Sequence, residues 1–547
     1  MSGLSARWKR RSAFELRAGS IEDTFRKIDL EKQNALIVAR ELAVPQVIKI
    51  RNLKLEGVQI EDDFKRQYPK GEIFSHAIGY VGAVRESDRN RNADLSLNDT
   101  VGKAGLEAYY DKEIRGEDGE IVNYRNAKGE VIDKKTVKAP VPGYDLYSTI
   151  DAELEEYFYN RLQERLNLLG GRSGVGIALN PQNGEVLALV SLPSFDNNKI
   201  AEKDLIDPDH PFFNRAISGV YAPGSTIKPL MAAAGLEEKI VTPESEVFSR
   251  GYIEIPNPYN PDEPTRFLDW KPHGWVNLYS ALARSSNVYF YALGGGLPRN
   301  ELDLFKDFSN PKGLGIYKLK EYWQKFRLGE LTGIDLPAEN KGFLPDPESK
   351  EKSSRGIWRV GDTYNVSIGQ GDLLITPIQL LNYIAAVANG GKFYKPFLVK
   401  KIAASDGKII RENNPEMNYD GGAELSESLI EVRRGMMDGV RKSYGTSNLL
   451  ADLPVRVAAK TGTSQVDFNT KTNAFFVGYA PTFAEATAGK PAEATAGKPA
   501  EAPQIAILVL IENSREGSLN AVPVAKEVIR WYYENRLARP QFTNTPE

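Results

Sequence analysis

The sequence predicts an α+β protein in which helices flank a mainly antiparallel sheet, and three observations lead to this prediction. Two apolar runs within residues 174–192 flank the turn 181–184, whose Asn-Gly pair is a strong hairpin signal. Three more strand candidates follow one another near the C-terminus, at residues 455–463, 474–480 and 505–512. A long and mostly helical stretch separates the two groups, so we expect the hairpin and the late strands to share one sheet.

Helices are expected on both faces of this sheet, because its strand candidates are apolar on both sides. Residues 147–169 are expected to form a strand and then an amphipathic helix with Asp151 as its N-cap. Residues 522–536 are expected to form a helix that closes the chain. A further helix with an apolar stripe is expected at residues 30–43.

The front of the chain is charged and is expected to form a separate β-rich domain. Segments 116–119 and 127–130 carry turn signals between short strands. The basic, Pro-containing stretch 134–143 suits a linker. We therefore predict a first domain at residues 1–140 and a second at residues 141–540.

A low-complexity insert occupies residues 484–503, between two of the late strand candidates. It contains the octapeptide AEATAGKP twice in tandem, without any aromatic or branched apolar residue. Such a segment buries too little apolar surface to fold, so we expect an expanded hairpin loop. A role as a partner tether remains an open alternative.

The composition excludes several classes of protein. Apolar residues make up 41% of the 547 residues and charged residues 26%, values that are typical of a globular protein with large cores. Lys and Arg number 70 against 73 Asp and Glu, for a net charge of −3, which argues against nucleic-acid binding. Cysteine is absent, which excludes disulfides, thiolate nucleophiles and iron–sulfur clusters. Only three histidines are present, and we find no P-loop and no G-x-S-x-G motif.

A covalent mechanism in this chain therefore requires a Ser or Thr that another base activates, and lysine is the obvious base. Four S-x-x-K matches occur, beginning at Ser225, Ser309, Ser349 and Ser405. Only the first opens an apolar helical stretch, where Ser225 and Lys228 fall on one face within hydrogen-bond reach. The alternative for this motif is an ordinary helix start with an N-cap serine and a solvated lysine.

Two further motifs follow along the chain. Ser285-Ser286-Asn287 offers a hydroxyl and a carboxamide in one tight turn. Lys460-Thr461-Gly462-Thr463 ends an apolar strand candidate, where a cation and two hydroxyls are suited to bind a carboxylate. The bare Gly462 leaves room for a substrate backbone along the strand. Each motif is weak alone, but the three in this order are highly specific.

The three motifs resemble those of the penicillin-binding proteins and serine β-lactamases. Further segments resemble the class B penicillin-binding proteins of the elongation type, the penicillin-binding protein 2 type. These segments are YAPGSTIKP at 221–229, DWKPHG at 269–274, TGIDLPAE at 332–339, the GQG region at 367–391, and residues 68–82 and 101–119 in the front domain. The resemblance covers residues 50–540 and implies a transpeptidase domain that follows a non-catalytic pedestal.

Three features depart from the family pattern. Members normally begin with a membrane-spanning helix, whereas no apolar run here approaches the roughly 18 residues that such a helix needs. Some relatives bind zinc near the segment that matches Asp269 and His273, with a Cys ligand that this chain lacks, so we expect no metal or cofactor. The octapeptide insert is also foreign to the family.

The resemblance implies acyl transfer from a peptidoglycan stem peptide. Ser225 would attack the carbonyl of the penultimate D-Ala, and Lys228 would accept its proton, held neutral by burial and by the charge of Lys460. The backbone N–H groups of Ser225 and Thr463 would form an oxyanion hole, at about 3–4 kcal/mol for each donor. Ser285 would relay a proton to the departing D-Ala.

The resemblance also implies the binding groups and the setting. Asn287 would hold the substrate amide, while Lys460, Thr461 and Thr463 would bind the terminal carboxylate. An amine of a neighbouring stem peptide would accept the acyl group, and β-lactams would acylate Ser225. The implied location is the periplasmic face of the bacterial inner membrane, beside a RodA-type glycan polymerase, with the anchor helix absent from this chain.

Two alternatives remain open from the sequence. A β-lactamase or D,D-carboxypeptidase would use the same motifs with water as the acceptor, although the front domain and the GQG region favour a transpeptidase. A penicillin sensor or an inactive scaffold is the non-enzymatic alternative, and the complete motifs argue against inactivity.

Overall fold

The computed structural model describes residues 39, 42–55, 58, 60, 65–91, 95, 99–126, 131–200, 202–257, 260, 262–297, 302–466, 471–481 and 502–538. Two compact units divide the chain, residues 1–67 with 81–101 and residues 68–80 with 102–547. The domain boundary near residue 140 stays a prediction.

The α-helices within the described ranges are α1 (Val44–Asn52), α2 (Ser75–Ile78), α3 (Glu86–Arg91), α4 (Gly105–Tyr109), α5 (Asp111–Arg115), α6 (Ala152–Leu169), α7 (Glu202–Leu205), α8 (Lys228–Glu237), α9 (Leu278–Arg284), α10 (Asn287–Gly295), α11 (Gly315–Lys325), α12 (Pro347–Lys352), α13 (Val360–Ser367), α14 (Pro377–Asn389), α15 (Gly422–Arg441) and α16 (Gly517–Tyr532). Short 3₁₀ turns lie at Gly224–Ile227, Leu302–Leu304 and Asn448–Leu450, and a π-helical turn at Tyr533–Leu537.

The strands in the same ranges are β1 (Val81–Ala83), β2 (Thr100–Gly102), β3 (Glu120–Arg125), β4 (Val131–Lys138), β5 (Asp145–Ser148), β6 (Gly174–Leu179), β7 (Val186–Leu192), β8 (Glu246–Ser249), β9 (Tyr252–Ile255), β10 (Thr265–Leu268), β11 (Gly274–Val276), β12 (Phe305–Lys306), β13 (Lys392–Tyr394), β14 (Val399–Ala403), β15 (Ile409–Glu412), β16 (Met417–Asp420), β17 (Ala458–Val466), β18 (Lys471–Ala480) and β19 (Ile505–Ile511).

The first unit contains α1 and α3 with strand β1. Its described apolar residues Val84, Leu95 and Val101 form a small buried cluster of their own.

An antiparallel sheet of five strands organises the second unit, in the order β17-β18-β19-β6-β7. The predicted hairpin and the three late strands therefore share one sheet, and the α+β prediction is confirmed. The predicted first late strand was shifted, because pairing with β18 runs in register from Ala458 to Val466. Val455 and Val457 instead pack into the apolar core beside the sheet.

Two apolar cores cover the two faces of this sheet, because alternate residues along each strand point to opposite sides. Val175 and Ile177 of β6 face a core that includes the apolar side chains of α8, α9, α10, α14 and α15. Ala178, Ile507 and Val509 face the other core, which includes those of α6 and α16. The continuously apolar strands are thus covered on both sides, as predicted.

Two helices that flank the sheet can be compared with the caps and starts predicted from the local sequence. The Asp151 side chain accepts a hydrogen bond from the Leu154 N–H at 3.2 Å, which confirms the predicted N-cap of α6. Helix α16 begins five residues earlier than residue 522 and contains Pro523. Proline leaves the carbonyl four residues before it without its helical donor, and here that carbonyl, on Leu519, accepts from Arg165.

Several predictions concern residues outside or at the margin of the described ranges. The helix predicted at 30–43 lies outside them apart from residues 39, 42 and 43, and the turn at 127–130 lies outside them entirely. Of the insert at 484–503, only residues 502 and 503 are described. The linker predicted at 134–143 was wrong in its first half, because β4 continues to Lys138 in antiparallel pairing with β3. None of the described helices has the length and hydropathy needed to cross a membrane.

Candidate active site

Three elements of the second unit meet at one edge of the central sheet. The first is the 3₁₀ turn Gly224–Ile227, which carries Ser225 and leads into α8. The second is the break between α9 and α10, where Ser285 adopts a left-handed conformation with φ of 59°. The third is β17, the edge strand that carries Lys460 to Thr463.

The turn that carries Ser225 lies directly against β17 because glycines remove the side chains between them. A Cβ atom at Gly224 would lie 2.6 Å from the Thr463 carbonyl oxygen and 3.2 Å from its nitrogen. A Cβ atom at Gly462 would lie 2.8 Å from Cγ2 of Thr226. Both the N–H and the C=O of Thr463 therefore face the backbone beside Ser225, as a two-donor oxyanion hole requires.

Lys228 is fully buried and its amine points at the second motif. Its Nζ donates to the Ser285 carbonyl at 2.8 Å and to Oδ1 of Asn287 at 2.7 Å, and lies 3.5 Å from Oγ of Ser285. Nδ2 of Asn287 donates in turn to the Leu268 carbonyl at 3.2 Å. The predicted Ser–Lys and S-x-N motifs are therefore in direct contact.

Lys460 approaches the same serine from β17. Its Nζ donates to Oγ of Ser285 at 2.7 Å and to the Thr461 carbonyl at 3.0 Å, and only 1% of the residue is exposed. The Ser285 hydroxyl thus lies between two buried lysine amines. This arrangement is suited to moving a proton between them.

Burial lowers the pKa of both amines. Desolvation lowers the pKa of Lys228 to about 7, although the negative charge of Asp269 opposes the shift. Desolvation also lowers the pKa of Lys460 well below its ordinary value, and the charge of Lys228 lowers it further. Burial of Lys228 was predicted, and burial is the main cause of the lowered pKa of that amine.

Two predicted contacts take a different form. The half-buried Ser225 makes no side-chain hydrogen bond to any described residue, because the Lys228 amine is turned toward Ser285 and Asn287. On β17, Oγ1 of Thr461 donates to Thr446 at 2.8 Å. Oγ1 of Thr463 accepts from the Gly517 N–H at 3.3 Å. A substrate carboxylate would therefore have to replace Thr446 as the acceptor of the Thr461 hydroxyl, whereas the Thr463 hydroxyl keeps its own hydrogen for donation.

Asp269 is a site residue that the motifs missed. Its carboxylate accepts hydrogen bonds from Oγ of Ser286 at 2.7 Å and from the N–H groups of Asn287 at 2.9 Å and Val288 at 3.2 Å. Oγ of Ser249 donates to it at 3.1 Å. The aspartate thereby caps the first turn of α10 and fixes the S-x-N turn. The sequence signal for it is the segment 269–274, whose resemblance to the elongation-type family does not by itself give Asp269 a role.

The ionised form of Asp269 is stabilised by its surroundings. Burial favours the neutral acid, but the neighbouring His273 imidazole, the charge of Lys228 and the Asn287 N–H outweigh it and hold the pKa of Asp269 at about 2. Nε2 of His273 lies 3.5 Å from Oδ1 of Asp269, with both side chains fully buried. A buried anion therefore interacts with the Lys228 amine.

The zinc bound by some family members does not fit these residues. The hydroxyls of Ser249 and Ser286 contact the Asp269 carboxylate, but they donate to it instead of offering anionic ligands. No group of three or more His, Asp or Glu side chains placed to hold a metal occurs in the described part of the chain. We derive no metal chemistry for this site.

Replacing Asp269 by asparagine is expected to destabilise the protein by about 3 kcal/mol, because the amide cannot accept every hydrogen bond that the carboxylate accepts. Urea unfolding measures this loss. The matched control is Asp406→Asn, where an exposed turn carboxylate accepts only the Lys408 N–H and asparagine serves equally well. Equal unfolding midpoints for the two variants would contradict the role assigned to Asp269.

Comparison with known proteins points to one family. Residues 174–530 match the family described as penicillin binding protein transpeptidase domain, and residues 9–148 match that described as penicillin-binding protein dimerisation domain. The peptidoglycan D,D-transpeptidase MrdA of Acinetobacter baumannii is 32% identical over 515 residues, covering 89% of this chain and 69% of the relative. MrdA of Escherichia coli K12 is 32% identical over 486 residues, covering 86% and 71%.

Solved structures agree with this comparison. Pseudomonas aeruginosa PBP2 in complex with WCK 5153 has a TM-score of 0.66 at 31% identity, covering 88% of this chain and 93% of that chain. PBP2 of Helicobacter pylori in complex with MreC has a TM-score of 0.73 at 25% identity, covering 94% and 91%. A chain of a peptidoglycan synthase complex that coordinates polymerization and crosslinking has a TM-score of 0.70 at 26% identity, covering 96% and 86%.

Proposed function

Because the chain belongs to the family of penicillin-binding proteins with a transpeptidase and a dimerisation domain, we propose that it is a peptidoglycan D,D-transpeptidase of cell-wall elongation that works through a serine acyl-enzyme. The observation that carries this proposal is the convergence of the three motifs on Ser285, between the amines of Lys228 and Lys460. Such a constellation supplies a nucleophile, a base and a proton relay without metal or cofactor.

In the first step, the Ser225 hydroxyl attacks the carbonyl carbon of the penultimate D-Ala, and its proton passes to Lys228. With a pKa of about 7, a large share of Lys228 is neutral at neutral pH. A neutral amine has two N–H donors, which the Ser285 carbonyl and Asn287 accept. Its lone pair then remains for the Ser225 proton, and Asn287 acts by orienting the amine.

The negative charge of the tetrahedral intermediate forms on the substrate oxygen. The backbone N–H groups of Ser225 and Thr463 are the donors placed to stabilise it, since the Thr463 backbone faces the turn that contains Ser225. The start of the Ser225 helix adds a favourable dipole at the same point.

Collapse of this intermediate breaks the C–N bond to the terminal D-Ala. The leaving nitrogen takes its proton from Lys228 through the Ser285 hydroxyl, which Lys460 holds at 2.7 Å. An amine of a neighbouring stem peptide then attacks the acyl-Ser225 ester, which releases the serine and leaves the cross-link. The predicted contacts of Asn287 with the substrate amide, and of Thr461, Gly462 and Thr463 with the terminal carboxylate, complete the proposal.

The setting follows from the reaction. Peptidoglycan lies outside the cytoplasm, so the protein acts there, and attachment to the inner membrane is part of this proposal. The H. pylori relative was solved in complex with MreC, and another similar chain belongs to a complex that joins polymerization to crosslinking. We propose by analogy that this protein works beside a RodA-type glycan polymerase.

A labelled penicillin tests the assignment. We expect stoichiometric covalent labelling of the protein and an adduct that persists for hours, because a transpeptidase site does not activate water as the acceptor. Mass spectrometry of the intact protein over time measures both. Rapid return of the unmodified mass with release of penicilloate would instead identify a hydrolase such as a β-lactamase, and no labelling at all would indicate a protein without serine acyl transfer.

A further inference from the structure

A single glutamine side chain covers part of the free edge of β17, directly after the K-T-G-T sequence. Nε2 of Gln370 donates to the Thr463 carbonyl at 3.1 Å, and the Gln465 N–H donates to Oε1 of Gln370 at 3.2 Å. One carboxamide thus pairs with two main-chain groups on alternate residues. This is the hydrogen-bond pattern that one residue of a neighbouring parallel strand would make.

The loop that carries Gln370 is also bonded to the nucleophile turn. Gly224, the residue before Ser225, donates its N–H to the Gly369 carbonyl at 2.8 Å. A Cβ atom at Gly369, where φ is 74°, would lie 2.2 Å from the Gly224 carbonyl oxygen, so only glycine fits there. The Gln370 N–H donates to the Asn365 carbonyl at 2.9 Å, which anchors the loop to the end of α13.

The same short loop therefore contacts both halves of the proposed oxyanion hole. Gly369 holds the backbone next to Ser225, and Gln370 holds the carbonyl of Thr463. Since the N–H and the C=O of one strand residue point to the same edge, fixing the carbonyl of Thr463 also fixes the direction of its N–H. The loop therefore contacts the backbone beside each of the two N–H donors.

We propose that Gln370 is a positioning residue that holds the Thr463 N–H at the separation from the Ser225 N–H that the tetrahedral intermediate requires. The inference rests on the proposed function, because it concerns the acylation step of that reaction. Loss of the two hydrogen bonds between the Gln370 side chain and β17 lets the end of β17 move away from Ser225. The acylation rate constant then falls, while the equilibrium binding of the intact β-lactam changes little, because the oxyanion forms only during reaction.

The decisive variant is Gln370→Glu, which has nearly the same shape. A protonated carboxyl group offers one O–H donor and one carbonyl acceptor, as the carboxamide does, whereas a carboxylate only accepts and repels the Thr463 carbonyl. We expect acylation by a labelled penicillin at pH 8 to be roughly tenfold or more slower than in the wild type. The ratio of variant to wild-type rate constants should rise as the pH falls from 8 to 5, because the protonated share of the glutamate grows as the pH approaches its ordinary pKa of about 4.3. Titration of Lys228 cancels in that ratio.

Two further variants complete the test. Gln370→Ala removes both hydrogen bonds, so its rate ratio should be low at every pH. Gln324→Ala is the control, because the exposed Gln324 lies on α11, outside the candidate site, and this variant should keep the wild-type rate constants. A ratio for Gln370→Glu that does not change with pH, or wild-type acylation by Gln370→Ala, would overturn the inference. Failure of the wild-type protein to be acylated would instead overturn the proposed function.

Discussion

Replacing Ser225 by alanine is expected to abolish covalent labelling by penicillin while the protein stays folded. The other nucleophiles in the site are not available for acylation, because both amines are buried and the Ser285 hydroxyl is held by Lys460 at 2.7 Å. The Ser225 hydroxyl has no hydrogen-bond partner among the described residues, so its removal should change the free energy of unfolding by about 1 kcal/mol or less. Intact-protein mass spectrometry and thermal unfolding measure the two effects.

The chain offers a matched control for this variant. Ser405 also begins an S-x-x-K sequence, but it lies in the exposed turn after β14, away from any helix start. Ser405→Ala should be labelled at the wild-type rate. Labelling of Ser225→Ala at the wild-type level would show that another residue is the nucleophile and would end the mechanism given above.

Replacing Lys228 by alanine is expected to reduce the acylation rate constant by about 10²–10⁴-fold, the usual contribution of a positioned general base. The variant leaves the Ser285 carbonyl and Oδ1 of Asn287 without their donor, so some loss of stability is expected as well. Acylation must therefore be measured on protein shown to be folded by circular dichroism. Lys312→Ala is the control, since the exposed Lys312 belongs to another S-x-x-K match. Normal acylation of folded Lys228→Ala would remove Lys228 as the base.

The pH dependence of the wild-type protein tests the same role independently. Lys228 accepts a proton only in its neutral form, and burial lowers its pKa to about 7. The acylation rate constant should therefore be nearly level above that pH and fall roughly tenfold per pH unit well below it. A rate that does not change between pH 8 and pH 5.5 would show that no group with this pKa accepts the proton.

The sequence predicted the parts of the fold that adjacent residues encode. The Asn-Gly turn between β6 and β7, the Asp151 cap of α6 and the helix that follows Ser225 all depend on residues within one or two turns of chain. The predicted start of α16 was five residues late, and Pro523 lies inside the observed helix. The local pattern does not show that the distant Arg165 donates a hydrogen bond to the Leu519 carbonyl, which the proline leaves without its helical donor.

The residues of the candidate site also divide into those that local motifs identify and those that depend on distant contacts. The motifs identified Ser225, Lys228, Ser285 and Lys460, because each carries its chemistry within a few consecutive residues. The motif search did not find Asp269. No local pattern shows that an aspartate will accept hydrogen bonds from a turn 17 or more residues further along the chain. The partners of Thr461 and Thr463 were missed for the same reason.

By itself, the sequence determined the residue types of the proposed reaction, their order along the chain and most of the strands and helices that carry them. Only the tertiary structure decided which groups touch, because Lys460 and Ser285 are 175 residues apart and Gln370 and Thr463 are 93 residues apart. Packing against the two faces of the central sheet brings these groups within hydrogen-bond distance. The same packing removes water from both amines and so lowers their pKa values, an effect of burial that a sequence pattern does not contain.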